Sequence, residues 1–173
     1  VRTSLDIRTY GDKILRSKNE KIREFGEELK SLFAQLTETM IVSRGVGLAA
    51  PQVGIAKQIA VVNPEPEAEK TLIKMANPRI VWTSDETETL EEGCLSVPGI
   101  RGEVVRHSSI EVAYQDEQGN ERTLKAEGLL ARIIQHEIDH LNGVLFVDRL
   151  SFAKRALIKP KLKDLASGRK KER

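Results

Sequence analysis

Residues 128–143, GLLARIIQHEIDHLNG, constrain this chain more than any other stretch. Leu129, Leu130, Ile133, Ile134 and Leu141 spread over a wide arc at helical spacing, which predicts a largely buried helix. Asn142-Gly143 is a good stop signal for it. Yet this apolar helix also carries His136, Glu137 and His140. Two imidazoles and a carboxylate are costly to bury unless something pairs them. Positions 136 and 140 lie one turn apart on the same side, so both rings can reach a single ion. Glu137 is offset by about 100° around the axis and can reach a water at that ion without being a ligand. This is the mechanics of the HExxH motif of metallohydrolases. The same residues could also meet by chance on a solvated helix. The third ligand therefore decides the matter.

The extended protease pattern, with a third histidine six residues after the second, fails at Phe146. His107, in the strand-like VVRHSSI, is the one other histidine. Asp148 is the nearest carboxylate downstream. Cys94, in EEGCLSVPG, is the chain's single cysteine. It reads either as a small buried apolar residue or as a thiolate ligand for zinc or ferrous iron. Gly93 before it and Pro98-Gly99 after it suggest a constrained segment able to aim a side chain at a neighbouring helix. Cys94, His136 and His140 would make three protein ligands plus an open position, the arrangement of catalytic sites. With Asp148 as third ligand, the chain would instead be a metallopeptidase cutting internal bonds.

Around this helix the texture is mixed. Residues 25–40 repeat apolar side chains at 3.6 spacing and predict an N-terminal amphipathic helix. RGVGLAAPQVG (44–54) is a tight loop of small residues. No Lys-Ser/Thr follows its glycines, so it is not a phosphate-binding loop; a packed turn is its simplest reading. QIAVVN (58–63) and PRIVW (78–82) read as strands, and 108–128 as two strands joined through Gln118-Gly119-Asn120. A third helix should start at the N-cap Ser151 and run toward Leu165, with Pro160 kinking or ending it. SGRKKER after it should be frayed. The fold class expected is α+β: mostly antiparallel sheets packed around a central buried helix carrying HExxH, with an N-terminal amphipathic helix and a C-terminal helix. Residues 1–150 are expected to form a single domain carrying the site, and 151–173 a basic C-terminal helix and tail.

Three separated segments then match one family in order. GVGLAAPQ (45–52), EGCLS (92–96) and HEIDH (136–140) resemble the three signature motifs of peptide deformylases, and GDKILR (11–16) and EGLLARIIQHE also resemble that family. The similarity reaches to about residue 150. These metal-dependent hydrolases remove the formyl group from the N-terminal formyl-methionine of nascent polypeptides. The resemblance implies that Cys94, His136 and His140 hold the metal and that Glu137 is the general acid/base. It places Gln52 and the Leu95 backbone N–H at the formyl oxygen. It implies that Gly45, Val46 and Gly47 let the loop approach the substrate chain. Val46, Gly93 and Leu95 would offer backbone to it as to an added strand. Leu129, Ile133 and Val46 would line the methionine pocket, and Arg101 would lie near later residues. The stem of Arg132 would pack there with its head in solvent.

The chemistry follows. A metal lowers the pKa of its coordinated water, giving hydroxide at neutral pH. Glu137 takes the proton as the formyl carbon is attacked and passes it to the departing amine, releasing formate. The implied cofactor is one divalent ion, Fe²⁺ in the cell and Zn²⁺ or Ni²⁺ in purified protein.

Net charge is only +2, but nine Lys or Arg fall between Lys154 and Arg173. That tail either contacts ribosomal RNA, as in some relatives, or is a solvated, frayed helix. A third class of function is a non-catalytic, metal-stabilised ribosome-binding module. No apolar run has membrane length, and neither a membrane nor DNA is an expected partner. A lone cysteine without a secretion signal fits a reducing, bacterial-type cytoplasm, with an organellar origin also open.

Overall fold

The computed structural model describes residues 4–168. Seven strands form two sheets, and every strand pair is antiparallel. The larger sheet has the order β1-β2-β3-β6-β7. Its strands are β1 (Gly47–Ala49), β2 (Ile59–Val62), β3 (Ile73–Thr83), β6 (Ser109–Gln115) and β7 (Glu121–Glu127). The smaller sheet is the hairpin of β4 (Thr87–Cys94) and β5 (Val97–His107).

Residues 59–62 are buried throughout, so β2 reads as one continuous apolar run in the middle of the molecule. β6 and β7 are joined across residues 116–120, where Gly119 takes a positive φ of 86°. The side chain of Asp116 accepts from the N–H groups of Gln118 and Asn120, tying this turn together. β3 is longer than PRIVW implies, because it runs past Asn77-Pro78 on an irregular register against β6.

α1 spans Glu27–Val42 and lays Leu29, Phe33, Leu36 and Met40 against β1 and β2. Phe25 falls outside the helix because Gly26 stands in its N-cap position with an extended backbone. α2 spans Gly128–Leu141 and has ten buried residues. It touches both sheets: β1, β2, β6 and β7 of the larger one, and β5 of the hairpin. α3, Phe152–Ala166, is capped by the Ser151 side chain, which accepts from the Lys154 N–H. It continues through Pro160, so the proline does not end it there. One lost backbone bond is offset by packing on both sides of the proline: Ile158, Leu162 and Leu165 join the apolar cluster under β5. Of the SGRKKER run, residues 169–173 lie outside the described residues.

The β4–β5 hairpin is the element that sequence periodicity does not disclose. The first five residues of β4 are all exposed, and β5 contains Pro98, Gly99 and Gly102. A two-stranded sheet tolerates these because Pro98 has no second neighbour to supply with an N–H. Register carries Gly93 opposite Arg101 and, after an irregularity that leaves Pro98, Gly99 and Ile100 unmatched, Cys94 opposite Val97. Cys94 therefore ends a strand at a tight turn rather than floating in a loop.

Candidate active site

One cleft, of about 640 Å³, lies where the loop before β1, the β4–β5 turn and α2 meet. Gly45, Val46, Gly47 and Gln52 line it from the first wall. Gly93, Cys94, Leu95 and Arg101 line it from the second, and Leu129, Ile133, His136 and Glu137 from the helix. The two walls approach closely: a Cβ added to Gly45 would lie 3.1 Å from Leu95 Cδ1. A larger depression of about 1080 Å³ sits between residues 18–24 and the start of α1, lined by lysines and glutamates of both signs, and none of the residues above reaches it.

At the bottom of the cleft, Cys94 Sγ and one ring nitrogen each of His136 and His140 lie within 4.8 Å of one another. His136 Nε2 and His140 Nε2 are 3.2 Å apart, and Cys94 Sγ is 3.3 Å from His140 Nε2. Ligand atoms about 2.0–2.3 Å from one tetrahedral ion stand roughly 3.3–3.6 Å from each other. The observed spacings are those of such a donor set, so a thiolate and two imidazoles here fit a single cation.

The charges around these atoms favour a positive centre. Burial works against a cationic His136, but the Cys94 sulfur and the Glu92 carboxylate outweigh it and push its pKa up to about 10. Burial, reinforced by His136, pushes His140 well down. His136 Nδ1 lies 2.8 Å from Glu92 Oε1, which assigns that nitrogen a proton; a cation held at Nε2 would take the place of the second proton.

Glu92 in turn is held by a buried ionic lattice. Arg106 donates to both its oxygens at 2.9 Å, and Arg132 donates at 2.6 Å. Arg106 also donates to Asp139 on α2 at 2.6 Å, and Arg149 clamps Asp139 from outside with two bonds of 2.6 and 2.8 Å. The side chains of Arg106 and Glu92 are only 3% and 6% exposed, so each charge depends on its partners. Sequence reasoning assigned no role to Glu92, Arg106, Asp139 or Arg149. Glu92 had a signal in its place inside EGCLS; the arginines had none, because their partners are distant in sequence.

Arg132 departs from the expectation of a solvent-facing head. It is 6% exposed, and its guanidinium turns inward to Glu92 and to the carbonyls of Val104 and Glu88. Three acceptors inside compensate a cation better than a partial reach to water.

Glu137 points into the cleft from α2. Its Oε2 is buried with no partner among the described residues, and burial pushes its pKa up to about 7. Gly47 is required beside it: a Cβ there would stand 2.7 Å from Glu137 Oε1 and 2.9 Å from Ile133 Cγ2. Gln52 follows β1 in a short 3-10 turn. Its Oε1 accepts from the Ala49 N–H at 3.0 Å, which fixes the amide. Its Nε2 donates to Ser96 Oγ at 3.2 Å and stands 3.6 Å from Cys94 Sγ. Ser96, fully buried, is a further positioning group that the sequence reading passed over.

The remaining ligand candidates are engaged elsewhere. His107 Nδ1 lies 2.8 Å from the Ser84 carbonyl, a structural contact at the end of β5. Asp148 is paired with Arg16 and accepts from the Leu145 N–H. Phe146, where a third histidine would stand in the extended motif, stacks on His136 with ring centroids 6.2 Å apart.

Comparison with known proteins shows the family and the fold. The polypeptide deformylase family profile matches residues 4–156. A peptide deformylase from Brachyspira hyodysenteriae is 47% identical over 160 residues, covering 90% of this chain and 86% of that protein. Peptide deformylase 1B of Arabidopsis thaliana, solved with an inhibitor, superposes with a TM-score of 0.90 at 42% identity, covering 93% of this chain and 90% of that one. A Synechococcus elongatus peptide deformylase, solved with actinonin, gives 0.86 at 44% identity, with coverage of 91% and 87%. With a cysteine–histidine–histidine donor set in the cleft and a family match over most of its length, this chain belongs to the polypeptide deformylase family.

Proposed function

We propose that Cys94, His136 and His140 hold one divalent cation, and that the cleft above it removes the formyl group from N-terminal formyl-methionine of nascent peptides. The protein is a metal-dependent peptide deformylase, an amide hydrolase. The observation that carries the site reading is the convergence of one sulfur and two ring nitrogens within 4.8 Å, beside a buried carboxylate in the same cleft.

The metal, when bound, supplies Lewis acidity, which makes water nucleophilic at neutral pH and draws charge onto the carbonyl oxygen. The chain's own groups do the rest. Glu137, with a pKa brought near neutrality by burial, accepts the proton from the attacking water and delivers it to the leaving amine. Gln52 Nε2 and the Leu95 N–H are the donors for the oxygen on which negative charge develops; one such donor is worth about 3–4 kcal/mol. Gln52 is suited to this because Ala49 fixes its orientation beforehand. Gly45, Val46, Gly47 and Gly93 offer close backbone to an extended peptide. Leu129, Ile133 and Val46 take the methionine side chain, and Arg101 stands beside later residues. Small groups at Gly45, Gly47, Ala49 and Ala50 leave room for a formyl carbon and crowd a larger acyl group.

A thiolate with two imidazoles suits zinc and ferrous iron alike. The resemblance to deformylases assigns Fe²⁺ in the cell, with Zn²⁺ or Ni²⁺ replacing it in purified protein. Such substrates arise where synthesis begins with formyl-methionine, in a bacterial cytoplasm or an organelle. The basic residues of α3, with those after it, are assigned to ribosome contact. Salt-sensitive co-sedimentation with ribosomes that vanishes on neutralising Lys154, Arg155, Lys159 and Lys161 supports that contact, and unchanged sedimentation ends it.

The deciding assay is anaerobic turnover of a formyl-Met tripeptide with metal analysis of the same sample. Formate release that a chelator stops, with acetylated peptide a poor substrate, is the expected result. Cleavage of internal bonds in a casein-like protein without formate would overturn the reading.

A further inference from the structure

Three arginines line the active-site cleft: Arg44, Arg101 and Arg132. Two are neutralised within the protein. Arg101 Nε donates to Glu91 Oε1 at 2.7 Å, and Arg132 is held by Glu92. The Arg44 guanidinium has no ion pair or hydrogen bond among the described residues. The cleft therefore presents one uncompensated positive charge at its rim.

Its backbone is unusual as well. Arg44 has a φ of 57°, in the left-handed region that a glycine would occupy without strain. The turn it makes closes α1, with its N–H donating to the Ile41 carbonyl, and hands the chain to Gly45 and the cleft wall. The Gly45 N–H reaches the Met40 carbonyl as well, so this left-handed residue belongs to the helix stop, and the backbone accounts for the φ but not for the unpaired side chain. Arg44 precedes Gly47, which abuts Glu137, by three residues, so it stands at most about 10 Å further along that wall. A peptide extended along the wall advances about 3.3 Å per residue and comes level with Arg44 within its first few residues.

We infer that Arg44 is a specificity determinant, recognising a carboxylate side chain in the first three residues after the formyl-methionine. This rests on the deformylase reading and adds a charge preference to it. The contact is solvent-exposed, so the preference is modest, about two- to fivefold in kcat/KM for Glu over Gln, and falls with added salt. It acts through KM more than kcat, since it binds ground state and transition state alike.

The test uses metal-loaded enzyme and formyl-Met tetrapeptides with Glu, Gln or Lys scanned through the second, third and fourth positions. The expected result is an order of Glu over Gln over Lys at one position at least. Arg44→Gln brings these ratios close to one, and Arg44→Glu reverses them. Arg44→Gly suits the backbone, so it should keep the melting temperature and still lose the preference. Equal ratios in the wild type, or ratios that survive Arg44→Gln, overturn the inference. If no formylated peptide is turned over at all, the deformylase reading fails instead.

Discussion

Replacing Glu92 with glutamine changes one buried atom and removes the charge on which the ionic lattice depends. Glu92 accepts from Arg106 twice, from Arg132 once, and faces His136. Burial alone would raise its pKa, yet Arg106 and His136 outweigh that and hold it well below the ordinary 4.5. A carboxyl depressed on folding adds stability that is complete above its unfolded pKa and fades as pH drops below about 4.5 toward the folded value. At neutral pH the whole contribution is present. Glu92→Gln leaves Arg132 without its ionic partner and Arg106 with Asp139 alone. Removing one member of a buried pair costs about 3–5 kcal/mol, a large share of the roughly 5–15 kcal/mol that holds a domain folded. Separately, His136 exchanges a carboxylate acceptor for at best a neutral amide oxygen that the arginines also compete for, and loss of such an outer partner is worth roughly 10–100-fold in metal affinity. Urea unfolding of the metal-free protein reads the first effect, and a competitive zinc titration reads the second. The double variant Glu92→Gln, Arg132→Met separates them: part of the stability returns because one orphan cation is gone, while metal affinity stays low. If Glu92→Gln unfolds at the wild-type urea concentration and binds metal equally well, the lattice is not what orients His136.

Four shorter predictions follow from the same geometry. Glu137→Gln should keep its metal by elemental analysis while kcat falls at least about 100-fold, because only the proton transfer is lost. Cys94→Ser should lose both metal and turnover. Asp148→Asn, which breaks the pair with Arg16, should lower the melting temperature and leave metal content intact; the opposite pattern would favour an internal peptidase. Gly47→Ala places a methyl 2.7 Å from Glu137 Oε1 and should lower kcat/KM strongly while circular dichroism stays native.

Much of this protein is legible from local pattern. The α2 helix, its stop at Asn142-Gly143 and its two histidines one turn apart follow from apolar periodicity and chain geometry, which need no partner to be read. The same holds for the β6–β7 hairpin and the Ser151 cap. The three short motifs were visible in sequence as well. What brought them together was not. Cys94 lies 46 positions in sequence from His140 and reaches it because β4 and β5 form a second sheet whose turn faces α2. No alternation marks that sheet, since most of β4 is exposed and glycines and a proline interrupt β5. The inward turn of Arg132 was equally hidden: a long cationic side chain goes to water by default, and only the preplaced Glu92 carboxylate and two carbonyls make burial cheaper. Sequence by itself determined which residues could bind a metal and move a proton, because those capacities belong to side-chain chemistry and helical spacing. Tertiary structure alone decided which of them meet, how Glu92 aims His136, and that Arg44 has no ionic partner among the described residues, because charge compensation is settled between segments far apart along the chain.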